Sequence, residues 1–141
     1  MVGEDSRRSV IGSPQQDLLF VYGTLRRGFD APMAHWLASV SQYRGVARAR
    51  GRLYRIGDYP GFVPGGAQWV TGDLLALTDA PAVLARLDEY EECAADFPEP
   101  HEYRRERLTV ETPSGPADAW TYVYAHAVDG LVGIEGGDFL R

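Results

Sequence analysis

The stretch Leu18-Leu19-Phe20-Val21-Tyr22-Gly23-Thr24-Leu25 decides the fold. Five β-prone apolar residues in a row, ended by glycine, form the pattern of a strand buried on both faces, and such a strand lies centrally in a covered sheet. Ahead of it, residues 1–17 are rich in Ser, Gly, Gln, Arg and Asp without apolar periodicity, so they read as a flexible leader.

Downstream, Pro32 suits the first turn of a short helix capped by Asp30 and running through His35, Trp36 and Leu37. Tyr43 to Ile56 reads as a long strand interrupted at Gly45 and Gly51, Asp58-Tyr59-Pro60-Gly61 as a turn, and Trp69 to Leu77 as the next strand. Thr78 or Asp79 then caps a helix over Ala80 to Glu91, with Pro81 in its first turn. Tyr103 to Thr112 and Ala117 to Tyr124, joined by Pro113-Ser114-Gly115-Pro116, read as a hairpin. Residues 18–126 are thus expected to form one α+β domain, and the glycine-rich tail, residues 127–141, a surface wrap or a disordered end.

The bulk properties agree with one domain and exclude several function classes. A chain of 141 residues with 45% hydrophobic residues has enough apolar material for a single core. Its formal net charge of −6 opposes phosphate backbones and anionic membranes, so neither nucleic acid nor a membrane is an expected partner. Arg44, Arg48, Arg50, Arg52 and Arg55 are mostly evenly spaced and read as the solvated face of a strand. No apolar stretch has the length of a signal peptide or a membrane span, and the lone Cys93 excludes an internal disulfide; a cytoplasmic location is the expectation.

Two features point to chemistry. On the helix from Ala80, Leu84, Leu87 and Glu91 share one stripe, whereas Glu89 and Glu92 turn towards solvent. A carboxylate on an apolar face, at the negative end of the helix dipole and among Asp88, Glu89 and Glu92, should have a raised pKa, as a proton-transferring group near neutral pH requires. The alternative is a helix that frays before Glu91 and leaves it exposed. Should Glu91 not be the acting carboxylate, Asp88, one turn earlier, is the substitute.

The second feature is the loop Tyr22-Gly23-Thr24-Leu25-Arg26-Arg27-Gly28. Amide groups there are either a plain turn or a concave nest able to hold a carboxylate or oxyanion. Its glycine spacing mimics a phosphate-binding loop, but Phe29 and Asp30 stand where Lys and Ser/Thr are needed, which excludes nucleotide binding by that route. Cys93 and His101 are close enough in sequence to pair as nucleophile and base, yet no nucleophile motif surrounds them, and an inert thiol is the simpler reading. His35, His101 and His126 show no metal-ligand spacing, so no metal is expected.

Taken together, VYGTLRRG (21–28), DYPGFV (58–63), LDEYE (87–91), EYRR (102–105) and YVY (122–124) resemble the gamma-glutamyl cyclotransferase-like family, in order and in spacing. The tyrosine of LDEYE and the short YGTL form are most similar to its gamma-glutamylamine cyclotransferase branch and bacterial relatives. The resemblance implies a compact mixed β-barrel or sheet with flanking short helices. It also implies cofactor-independent cyclisation of a small-molecule gamma-glutamyl substrate, releasing 5-oxoproline and a free amine. By motif position, Glu91 is the catalytic acid/base, Tyr22, Gly23, Thr24 and Leu25 the substrate loop, and Tyr59, Pro60, Tyr103 and Arg105 line the pocket. Glu92-Cys93 departs from the glycine often found after the glutamate, and the acidic loop that follows leaves the amine half open. A catalytically silent metabolite-binding module and an acyl-transfer enzyme with a different acyl group are the competing readings. The expected assembly is a monomer or weak homodimer.

Overall fold

The structure, a computed structural model, describes residues 17–140. The expected leader lies outside them except for Asp17, whose carbonyl accepts a hydrogen bond from the Leu77 N–H at 2.9 Å. β1 (Leu18–Val21) is short and almost wholly inaccessible, with Leu19, Phe20 and Val21 at 0%, 1% and 3% exposure. It runs antiparallel to β3 (Tyr59–Leu77) and touches β5 (Gly115–Tyr124) in parallel through Leu19 and Trp120. β3 pairs in turn with β2 (Ser41–Ile56), β2 with β4 (Tyr103–Thr112), and β4 with β5, which closes a five-stranded barrel in the order β1-β3-β2-β4-β5.

Alternation along β1 divides the core in two. Phe20 and Tyr22 join Phe62, Val70, Val110 and Val123 in a cluster built from the strands. Leu19 and Val21 point the other way, to Leu37 of α1 (Pro32–Ser39) and to Val83, Leu84 and Leu87 of α2 (Ala80–Tyr90). A strand sandwiched between a barrel interior and two helices has no solvated face, which is why its sequence is apolar without alternation. Each fully buried leucine contributes about 2 kcal/mol by removal of apolar surface from water.

The β2–β3 ribbon corrects one expectation. Gly57 and Asp58 alone make the turn, with Gly57 at φ +70°, so Tyr59, Pro60 and Gly61 are already paired with Ile56, Arg55 and Tyr54. β3 therefore begins ten residues before the expected Trp69, and a register shift opposite Arg50/Gly51 absorbs residues 65–68. Shifts between Tyr43/Val46 and Arg50/Gly51 match the interruptions read at Gly45 and Gly51. Arg48, Arg50 and Arg52 are exposed, and the first two lie over the Trp69 ring at 4.7 and 3.8 Å, a solvated face as read.

Asp30 does not cap α1: the N-cap is Ala31 without a side-chain bond, and Asp30 instead reaches His35 Nε2 at 3.2 Å in solvent. Asp79 caps α2 by accepting from the Ala82 N–H at 3.4 Å. The tail is a wrap, since Arg55 donates to the Val132 carbonyl and Ile134 to that of Leu53, both at 2.8 Å.

Candidate active site

At the C-terminal end of β1 the chain leaves the sheet at Tyr22, and the loop through Leu25 forms one wall of a cavity of about 920 Å³, within the range of small-molecule sites. Gly23 is required there by packing: a Cβ would stand 2.6 Å from Cγ of Pro60. Pro60 is fixed from the opposite side by the Tyr103 hydroxyl, which donates to its carbonyl at 2.9 Å. Tyr22 is buried and its hydroxyl donates to the Tyr122 carbonyl at 2.6 Å. Loop, β3 start, β4 start and β5 are thus locked together around the cavity mouth.

The turn is closed by the Arg26 N–H bonding the Gly23 carbonyl at 3.1 Å. The amide groups of Gly23, Thr24 and Leu25 have no acceptor among the described residues. Three adjacent free donors on a cavity wall are suited to a carboxylate or a developing oxyanion.

Glu91 forms the facing wall. It is the C-cap of α2, with its own N–H still bonded to the Leu87 carbonyl at 2.8 Å, so the helix does not fray before it. Its carboxylate has no hydrogen-bond or ion-pair partner among the described residues, and its pKa is pushed up to about 7, first by desolvation and then by the charge of Glu102. The like charge expected from Asp88, Glu89 and Glu92 is therefore not the cause; it comes from across the cavity. Glu102, which accepts from the Tyr59 hydroxyl at 3.0 Å, was not legible as a site residue in the sequence. Its signal is that it opens the EYRR motif, whose tyrosine and second arginine alone read as pocket residues.

Of the expected residues, Tyr22, Gly23, Thr24, Leu25, Tyr59, Pro60, Tyr103 and Glu91 all line this cavity. Arg105 does not. Its guanidinium is drawn to Asp88, with Nε and Nη2 at 2.9 and 3.2 Å from the two carboxylate oxygens, and it lies 4.5 Å over the Trp120 ring. The Tyr122 hydroxyl adds a third bond to Asp88 at 2.7 Å. Asp88, the substitute acid, is thus saturated and absent from the cavity wall. It ties the last turn of α2 to β4 and β5 and so fixes where Glu91 points.

Cys93 is half-buried against this core, and desolvation together with the Asp88 charge holds its thiol up at about 11, which disfavours the nucleophilic thiolate. His101 contacts the Phe97 carbonyl at 3.2 Å. Among the described residues no group of three His, Cys, Asp or Glu side chains is placed to share a metal ion. No helix among them is long and apolar enough to cross a membrane.

A sequence profile of the family described as gamma-glutamyl cyclotransferase, AIG2-like, matches residues 19–141. The chain belongs to this family. It is 36% identical over 122 residues to the gamma-glutamylcyclotransferase family protein YtfP of Escherichia coli K12, covering 86% of this chain and 95% of that protein. A putative gamma-glutamylcyclotransferase of Vibrio cholerae is 38% identical over 130 residues, 89% of this chain and 97% of that one. The crystal structure of a mouse AIG2-like protein superposes with a TM-score of 0.66 at 26% identity over 82% of each chain. The mixed α+β barrel with two short helices is the architecture of these neighbours. Membership supports cyclotransferase activity in general. The match also runs through the tail, past residue 126.

Proposed function

We propose that this protein cyclises the gamma-glutamyl half of a small gamma-glutamyl amine, releasing 5-oxoproline and the free amine, with Glu91 as general acid/base. The observation that carries the reading is the unpartnered Glu91 carboxylate with its pKa near 7, facing a loop of free amide donors across one cavity. In the reaction the α-nitrogen of the substrate attacks its own δ-carbonyl carbon. One C–N bond closes the five-membered lactam, and the bond to the leaving nitrogen breaks. Glu91 takes a proton from the attacking nitrogen and returns it to the leaving one, so no net proton is consumed at the enzyme. Because both reacting groups belong to one molecule, the cavity contributes by holding them folded into contact. The amides of Gly23 to Leu25 bind substrate oxygen.

The charge of the wall favours the amine branch over a peptide such as glutathione. Asp58, Glu92 and Glu102 accompany Glu91, and among the described residues no Lys or Arg lines the cavity, its other ionisable side chains being tyrosines and the imidazoles of His101 and His126. A leaving group that carries a carboxylate would meet like charge without a counter-ion. The cavity is built from one chain, so a monomer or a weak homodimer is competent, and no cofactor enters the scheme.

The test is release of 5-oxoproline from gamma-glutamyl amines, gamma-glutamyl dipeptides and glutathione. Product from the amines, lost in Glu91→Gln, is the expected result. Saturable binding without product would replace the enzyme by a binding module, and turnover only of other acyl groups would reassign the acyl half.

A further inference from the structure

Arg26, the residue directly after the free amides, plays no part in the scheme above, yet its side chain is only 9% exposed. Nη2 lies 3.3 Å from Oδ1 of Asp73 on β3, and Nη1 lies 2.8 Å from Oδ1 of Asp138 in the C-terminal tail. Asp73 uses its other oxygen to accept the Arg27 N–H at 2.8 Å. Asp138 is 15% exposed and also accepts the Leu140 N–H at 3.1 Å. One guanidinium thus bridges the barrel wall and the tail, while the backbone of the same residue closes the turn on Gly23. Its Nε is buried without a partner, so the side chain is held by these two carboxylates alone among the described residues.

The tail does not depend on this bridge for its own placement. Val132 and Ile134 are bonded to β2, and Gly137 lies so close to the Trp69 carbonyl that a Cβ would stand 2.1 Å from it. Asp138 is therefore presented to Arg26 from a fixed strap. A fork-shaped guanidinium suits two carboxylates on different elements, whereas an ammonium offers one point of charge.

We propose that Asp138 and Arg26 are positioning residues through which the C-terminal tail sets the substrate loop, so that the tail is a working part of the site. The consequence for catalysis rests on the function proposed above; the consequence for the loop does not. Amides that hold a substrate oxygen equally in ground and transition states act on KM and not on kcat.

The experiment compares the full chain with Asp138→Asn and Arg26→Lys. Amide hydrogen exchange at Arg26 and Arg27, the melting temperature, and KM and kcat on whichever substrate yields product are measured. In Asp138→Asn, exchange at these two amides is expected to rise about tenfold with the rest of the barrel unchanged, and KM to rise about tenfold with kcat within about twofold. Arg26→Lys is expected to do the same despite keeping its charge. Unchanged exchange at the two amides, or faster exchange throughout the barrel, overturns the proposal, as does an unchanged KM. If the wild type yields no product, the function above fails, and exchange alone decides the role of the tail.

Discussion

Asp88 and Glu91 stand one turn apart on the same end of α2 and have been given opposite environments. Asp88 is bonded by Arg105 on β4 and by the Tyr122 hydroxyl on β5, each on the side of the helix that packs against the barrel. Glu91 has no partner among the described residues, it lines the cavity, and the charge that acts on it is another carboxylate, Glu102. A saturated carboxylate holds structure; an unsatisfied one stores affinity for a proton. The two residues have the same functional group, so only their surroundings separate scaffold from chemistry.

The largest expected difference between the two carboxylates is in turnover. Glu91→Gln is expected to reduce kcat by about 10³-fold, because the amide can neither take nor return a proton, while the melting temperature at pH 8 does not fall. Asp88→Ala should reverse the pattern: removing the partner of Arg105 and Tyr122 costs about 2–3 kcal/mol in stability, read by urea unfolding, with a smaller loss of turnover than Glu91→Gln. Equal losses of turnover in both would mean that Glu91 has no chemical role of its own.

In the unfolded chain Glu91 titrates near 4.5, and in the folded protein near 7, so the native state binds the proton more tightly. The wild type therefore loses stability as pH rises from 4.5 to 7 and stays lowered above it. Glu91→Gln lacks this loss, and its advantage over the wild type should grow across that window to about 1–3 kcal/mol at pH 8. A constant difference between the two proteins at all pH values would contradict the raised pKa. Glu102→Gln, which removes the second cause of the shift, should move the acid limb of kcat/KM to lower pH; an unmoved limb would leave desolvation as the sole cause.

How much of this could be read beforehand follows the range of the interactions. The buried strand 18–22, the Leu84/Leu87/Glu91 stripe and the 103–124 hairpin are local patterns, and all three stand in the structure. The early start of β3 was missed because Tyr59-Pro60-Gly61 has turn composition, and only its pairing with residues 54–56 makes it strand. Glu102, the Asp88–Arg105 pair and the bridge from Arg26 to Asp138 join residues 11, 17 and 112 positions apart from their counterparts Glu91, Asp88 and Arg26. No periodicity encodes such contacts. Arg105 shows the same limit: its position in the motif indicated its strand, whereas its pairing with Asp88, away from the cavity lining, depends on the tertiary fold.

The smallest effect concerns the residue after Glu91. Glu92 has φ +58°, in the left-handed region that glycine occupies without cost and other residues reach with strain. Its N–H bonds the Glu89 carbonyl at 3.1 Å, and the next N–H, of Cys93, returns to Asp88 at 2.9 Å, so the left-handed turn closes the helix and leaves Glu91 projecting. The same geometry gives a physical reason to favour glycine at this position. Glu92→Gly should accordingly stabilise the fold by up to about 1 kcal/mol, the relief of strain exceeding the added freedom of the unfolded chain. It also removes one carboxylate from the cavity wall. Thermal unfolding of Glu92→Gly beside Glu92→Ala separates the two contributions, because alanine removes the charge and keeps the strain. A gain in both variants alike would assign the effect to charge, and a gain in glycine alone assigns it to the backbone that aims Glu91.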